Sequence, residues 1–143
     1  PAAYSSTLYY DYSSPDFGSL YPTAHKWFGT MDLFLSFPSD TGKKGLHDPA
    51  LKLSASGADW KLLLDIHYFV LSKDANGEKV LGPEMDLTLP IKLNPVLTLT
   101  AGASAFFPGP GMKNLKGTDI AGSFTPASLE TGMWSFLMLD AKF

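Results

Sequence analysis

The chain contains no cysteine and no arginine. Without thiols there is no disulfide framework, no thiolate nucleophile and no thiolate metal site. All eleven basic residues are therefore Lys, so the planar fork that grips carboxylate or phosphate through two parallel hydrogen bonds is missing. Net charge is only −3 over 143 residues. No basic stripe is available to neutralise phosphates, which argues against nucleic acid as a partner. No apolar run approaches the roughly 18 residues that a membrane-crossing helix needs. The opening PAAYSSTLYY has neither the basic start nor the long apolar segment of a signal peptide.

What the chain does have is alternation. In DWKLLLDIHYFVLSK, Trp60, Leu62, Leu64, Ile66, Tyr68 and Val70 share one face, opposite Lys61, Asp65, His67 and Lys73. In GPEMDLTLPIKL, Met85, Leu87, Leu89, Ile91 and Leu93 oppose Glu84, Asp86, Thr88 and Lys92. In VLTLTAGASAFF, Leu97, Leu99, Ala101, Ala103 and Ala105 oppose Thr98, Thr100, Gly102 and Ser104. A period of two is the strand signature. It predicts strands over about 3–13, 45–56, 59–73, 81–93, 96–107 and 132–143. The one helical possibility is a turn within 20–33, with Pro22 and Thr23 at its start.

The predicted connections are unequal. Residues 14–44 and 108–130 are long, 74–80 is of medium length, and 57–58 and 94–95 are tight turns. Short turns at one end and long excursions at the other are typical of outer-membrane barrels. The strands exceed the usual five or six residues of a globular sheet and suit the roughly 9–11 needed for a tilted span. We therefore expect an all-β, antiparallel transmembrane β-barrel, of which 1–143 supplies about six C-terminal strands of a larger up-and-down barrel. Segments 14–44 and 108–130 would be its extracellular loops. Six strands cannot close such a barrel, and open edges in lipid would leave backbone unpaired. Remaining strands or other subunits must complete it.

On this reading the lipid face carries Leu62, Leu64, Ile66, Leu87, Leu89, Leu97, Leu99, Leu137, Leu139 and Phe143. The lumen is lined by Asp11, Lys52, Lys61, Asp65, His67, Glu84, Asp86, Thr88, Lys92, Thr98, Thr100, Asp140 and Lys142. Tyr9, Tyr10, Tyr12, Trp60, Tyr68, Phe106, Phe107, Trp134 and Phe136 lie near strand ends and would form the interfacial girdles.

Several stretches together resemble the C-terminal half of the alginate-export family of Gram-negative outer-membrane barrels. They are YYDYSS, LYPTAHKWFGTMDLF, LHDPALKLSAS, LLLDIHYFVL, LGPEMDLTLPIKL and LTAGASAFFPGPG, in that order; the similarity weakens over 112–133. The resemblance implies a single-chain barrel with many strands, a bacterial outer-membrane location and no enzymatic activity. It makes Tyr10-Asp11-Tyr12, Pro22-Thr23-His25, Gly29, Asp32, His67, Glu84, Asp86 and Phe107-Pro108-Gly109 the matching positions. The family's named channel resembles an electropositive conduit for a polyuronate, whereas this chain has no Arg. Its inferred lumenal carboxylates slightly outnumber the lysines, which argues against strong anion selection.

The site candidates are modest. With Asn76-Gly77 as a two-residue turn, facing residues sum to 153, so His67 opposes Asp86 and Phe69 opposes Glu84. That pair is either a lumenal cation or proton-linked site or, as we prefer, a cross-strand contact that fixes register. His25, His47 and His67 sit on separate elements without metal-ligand spacing. Asp65 and Glu84 could be cast as a glycosidase pair, but nothing marks either as the acid. No G-x-S-x-G elbow is present. We expect no catalytic residues, no metal and no cofactor.

Loop 14–44 holds Phe17, Tyr21, Trp27, Phe28, Phe34 and Phe37. It is either a constriction over the pore mouth or a self-packed extracellular loop, and AFFPGPGMKNLKGTD reads as a turn-rich rim. The ending WSFLMLDAKF alternates to the last residue. It resembles the terminal strand, closing on an aromatic, that the outer-membrane assembly machinery recognises. The expected function is a porin-like channel for passive passage of a hydrophilic solute such as a saccharide. Two alternatives stay open: a plugged structural or partner-binding barrel, and a secreted soluble carbohydrate-binding β-sandwich.

Overall fold

The computed structural model describes residues 2–20, 24–25, 27–120 and 122–142. They form an all-β unit whose main element is an antiparallel sheet of six strands, open at both edges. In chain order the elements are β1 (Ala3–Ser13), β2 (Leu46–Ser56), β3 (Lys61–Ala75), β4 (Glu78–Asn94), β5 (Leu97–Phe106), α1 (Pro110–Leu115), β6 (Thr118–Ile120), β7 (Ser123–Thr125) and β8 (Gly132–Ala141). The sheet order is β1-β2-β3-β4-β5-β8, with β6 and β7 as a separate small hairpin. Expected strand positions hold to within a few residues everywhere in the main sheet.

Three details differ from the expectation. Residues 74–80 are not a loop: β3 and β4 run on to Ala75 and Glu78, joined by Asn76 and Gly77, both at positive φ. Asn-Gly tolerates that conformation and matches the strand twist. The Gly77 amide donates to Asp74 at 2.9 Å, which holds that exposed carboxyl below its ordinary range. Second, 108–130 contains α1 and the β6–β7 hairpin. Pro110 starts the helix, where its missing N–H costs nothing, and Met112 buries against the core. Third, none of residues 24–25 and 27–33 is helical, while Pro22 and Thr23 lie outside the described residues.

The register of the β3–β4 hairpin also needs correction. Ala75 opposes Glu78, but two irregularities follow, and below them His67 opposes Glu84 and Asp65 opposes Asp86. Facing pairs total 153 at the turn and 151 below it, so His67 is not directly opposite Asp86. Gly82 sits at this bulge with φ +123, and a Cβ there would lie 2.0 Å from the Phe107 carbonyl oxygen. Only glycine lets β4 bend there while Gly109 and Phe107 donate to Leu81 and Pro83.

Pairing sorts the side chains onto two faces, because directly opposed residues point the same way. One face is aliphatic: Leu8, Leu51, Leu53, Leu62, Leu64, Ile66, Met85, Leu87, Leu89, Leu97, Leu99, Leu137 and Leu139 all register together. The other carries Asp11, Asp48, Lys52, Lys61, Asp65, His67, Glu84, Asp86, Thr88, Lys92, Thr98, Thr100 and Asp140. The fold's core sits on this second, polar face, at the end bearing the long connections. There Phe34 and Phe37 from the long first connection pack with Leu46, Phe69, Leu71, Leu81, Phe106 and Met112. Nothing described packs over the aliphatic face: Leu8 is 79 % and Leu137 73 % exposed.

Candidate functional site

The described segment 27–45 lies across the polar face and leads into β2. Its aromatic anchors are Phe34, edge-on to Phe69 at 4.8 Å, and Phe37, which receives Phe28 at 5.1 Å. Between them and the sheet the contacts become polar. The Thr30 amide donates to Asp86 Oδ2 at 3.1 Å and the Thr30 hydroxyl donates to Asp86 Oδ1 at 2.6 Å. That hydroxyl also lies 2.6 Å from Ser104 Oγ. The Met31 amide donates to Glu84 Oε1 at 2.9 Å. Both carboxyl groups thus accept backbone N–H groups of the segment.

Gly29 permits this approach. Its φ is +85, and a Cβ there would sit 2.3 Å from Glu84 Oε1. A short brace holds the turn: the His25 amide donates to Asp32 Oδ1 at 2.7 Å and Nδ1 meets the Thr30 carbonyl at 2.7 Å. The His25 ring stacks on Trp134 at 4.9 Å. Further along, Asp40 accepts from the Leu35 and Ser36 amides.

Next to this seat lies a buried polar cluster. His67 Nδ1 is 2.7 Å from Asp48 Oδ2, and its Nε2 is 3.9 Å from Asp86 Oδ2 and 3.3 Å from the Tyr9 hydroxyl. Asp48, which the sequence reading missed, is fully buried. The signal for it was present: it alternates with Ala50 and Lys52. Pro49 beside it has no N–H for the ladder, and the Asp48 and Pro49 positions make no β2–β3 pair. Lys52 bridges to Asp65 at 2.9 Å and lies over the Tyr9 ring.

The remaining expected lumen residues, Lys61, Thr88, Lys92, Thr98, Thr100 and Asp140, lie on the same face but below the inserted segment. Lys142 continues that alternation, bonding Val96. Asp11 lies toward the other end, lining an aromatic cavity of about 330 Å³ with Phe17, Trp27 and Phe28. A hollow of about 490 Å³, lined by His25, Thr30, Thr88, Thr100, Trp134 and Phe136, shows that the segment does not fill the face. Every described residue expected to face lipid is on the aliphatic face; Phe143 lies outside the described residues.

The girdle expectation is only partly met. Tyr10, Tyr12 and Tyr68 are on the aliphatic face near the long-connection end, where His47 bonds Tyr10 and stacks on Tyr12. Trp60 bridges to Ile91 at the other end. Tyr9, Phe106, Trp134 and Phe136 instead point to the polar face, as strict alternation from Asp11, Ser104 and Asp140 requires. Among the described residues no cluster of three His, Asp or Glu side chains could hold a metal, and no helix is long and apolar enough to cross a membrane, which says nothing of strands. No family model, no curated protein and no solved structure matches the chain.

Proposed function

We propose that this chain is a section of an outer-membrane β-barrel channel through which a hydrophilic solute, with saccharides as the leading class, passes down its gradient. The observation that carries the reading is the inversion of the sheet. In a water-soluble domain the aliphatic face collects the rest of the chain and the polar face meets solvent. Here the chain packs on the polar face, while a band of Leu, Ile and Ala stays bare. Monomeric soluble proteins rarely expose apolar patches beyond a few hundred Å²; a barrel wall in lipid is the setting in which such a face belongs.

Strand length agrees, since strands of 10–17 residues in the main sheet cover the roughly 9–11 of a tilted span. The edges β1 and β8 would be paired by further strands, because barrels of this kind begin at eight. The quoted resemblance to the alginate-export family points the same way. The solute would diffuse past Lys61, Thr88, Lys92 and Thr98, with segment 27–45 narrowing the path.

Insertion of that segment also favours a second reading, a plugged barrel that serves as an anchor or partner-binding platform. Single-channel recording of the full-length protein in planar bilayers separates the two. Stable conductance steps are expected; a folded, inserted protein that never conducts would leave the plugged barrel. Extraction only with detergent is expected, and solubility without it would restore the soluble sandwich.

A further inference from the structure

Resting on the channel reading, we infer that segment 27–45 is a charge cover as well as a constriction: seated on Glu84 and Asp86, it removes their carboxylates from the path and biases it away from cations. The polar face holds Asp11, Asp48, Asp65, Glu84, Asp86 and Asp140 against Lys52, Lys61, Lys92 and Lys142. Counted from sequence, acid prevails. Counted by access, it does not. Glu84 is 0 % exposed, Asp48 0 % and Asp86 3 %. Asp65 is spent on Lys52, whose own side chain stays 47 % exposed. Lys61, Lys92 and Lys142 are exposed, with Asp140 the one exposed carboxylate of the group and Asp11 half-buried.

The cover works by neutral donors. From Trp27 to Gly42 the segment has no Lys; it meets Glu84 Oε1 with the Met31 amide and both Asp86 oxygens with the Thr30 amide and hydroxyl. Its own acids face elsewhere: Asp32 is held by His25, and Asp40 by the Leu35 and Ser36 amides. Its two lysines, Lys43 and Lys44, come after the seat, with Lys44 bonded to the Asp74 carbonyl at the hairpin tip, so the seat covers Glu84 and Asp86 without setting a cation against them. Since exposed charged side chains set ion preference in a pore, position of the segment and selectivity are one variable.

Gly29→Val tests this, because any Cβ there collides with the Glu84 carboxylate. In the full-length protein, reversal potentials under a KCl gradient should show the cation-to-anion permeability ratio rising about three-fold or more as conductance rises. Adding Glu84→Gln and Asp86→Asn to Gly29→Val should return the ratio toward its starting value while conductance stays high. Higher conductance with an unchanged ratio would overturn the inference. A second readout needs no current. The chain has no cysteine, so Ser104→Cys, beneath Thr30, reports the seat alone. It should react with a charged methanethiosulfonate about ten-fold more slowly than Met138→Cys on the open part of the face, and Gly29→Val should abolish the difference. Equal rates with the native segment would show that the carboxylates are not covered and would sink the inference. Protected Ser104→Cys in a protein that never conducts would instead remove the channel reading, and the selectivity claim with it.

Discussion

The two faces of the main sheet obey the same alternation and differ in everything else. On the aliphatic face, away from the Tyr10, Tyr12 and His47 corner, side chains make few specific contacts; any similar hydrocarbon would serve, and the residues repeat as Leu, Ile and Ala. On the polar face nearly every buried group has a named partner: Asp86 with Thr30, Glu84 with Met31, Asp48 with His67. One surface is specified by its solvent, the other by its contents. A buried polar group must find its hydrogen bond or lose about 1–3 kcal/mol, whereas an apolar side chain in lipid needs only to be apolar.

The contrast breaks most visibly with charge. Leu64→Arg or Leu89→Arg should stop the protein from assembling in membranes, since a lipid-facing cation near the midplane costs roughly 2–4 kcal/mol. Thr88→Arg, on the other face and making no side-chain hydrogen bond to a described residue, should assemble normally, because its charge stays hydrated. Heat-modifiable migration of the membrane fraction on gels reads both. If Thr88→Arg fails while the leucine variants assemble, the faces are assigned backwards.

The same contrast decides how much of the fold is legible in the sequence. Face assignment needs only parity, so Leu62 through Leu139 on one side and Asp65 through Asp140 on the other follow from counting. Trp134 and Phe136, like Tyr9 and Phe106, follow that parity to the polar face rather than their aromatic character to a girdle. Register is harder. The Asn76-Gly77 turn was legible, but the bulge at Gly82 moves the pairing by two, and a lone glycine in a strand marks a bulge only weakly. The seat of segment 27–45 was hidden for another reason. Its bonds to Asp86 and Glu84 come mainly from backbone amides, which every residue but proline owns, so no side-chain pattern announces them.

A smaller effect probes the contents of the polar face. His67→Ala leaves the fully buried Asp48 without its 2.7 Å partner, and a bond to a charged group is worth about 1.5–3 kcal/mol. Adding Asp48→Ala to His67→Ala should cost less than the two single losses combined, because the second substitution removes the stranded carboxylate. Denaturant midpoints in detergent measure all three variants. Strict additivity would mean that the pair does not act as a unit, and that this part of the face is as indifferent to its contents as the aliphatic one.

The smallest effect lies beyond both faces, at the tip of the β3–β4 hairpin. The Gly77 amide donates to Asp74 and holds that carboxyl below its ordinary value of 3.8. A depressed folded value means that the bond's contribution is present above the unfolded pKa and is lost as pH falls through the folded one. The Gly77 amide resonance should therefore stay constant at neutral pH and move only below about pH 4. Asp74→Ala should flatten that titration while leaving assembly and conductance untouched. A Gly77 shift that titrated at or above the usual Asp value would show that the amide does not cap Asp74. On the proposed channel reading the tip lies outside the span, so a change in conductance on this substitution would mean that the hairpin end, and not segment 27–45 alone, borders the solute's path.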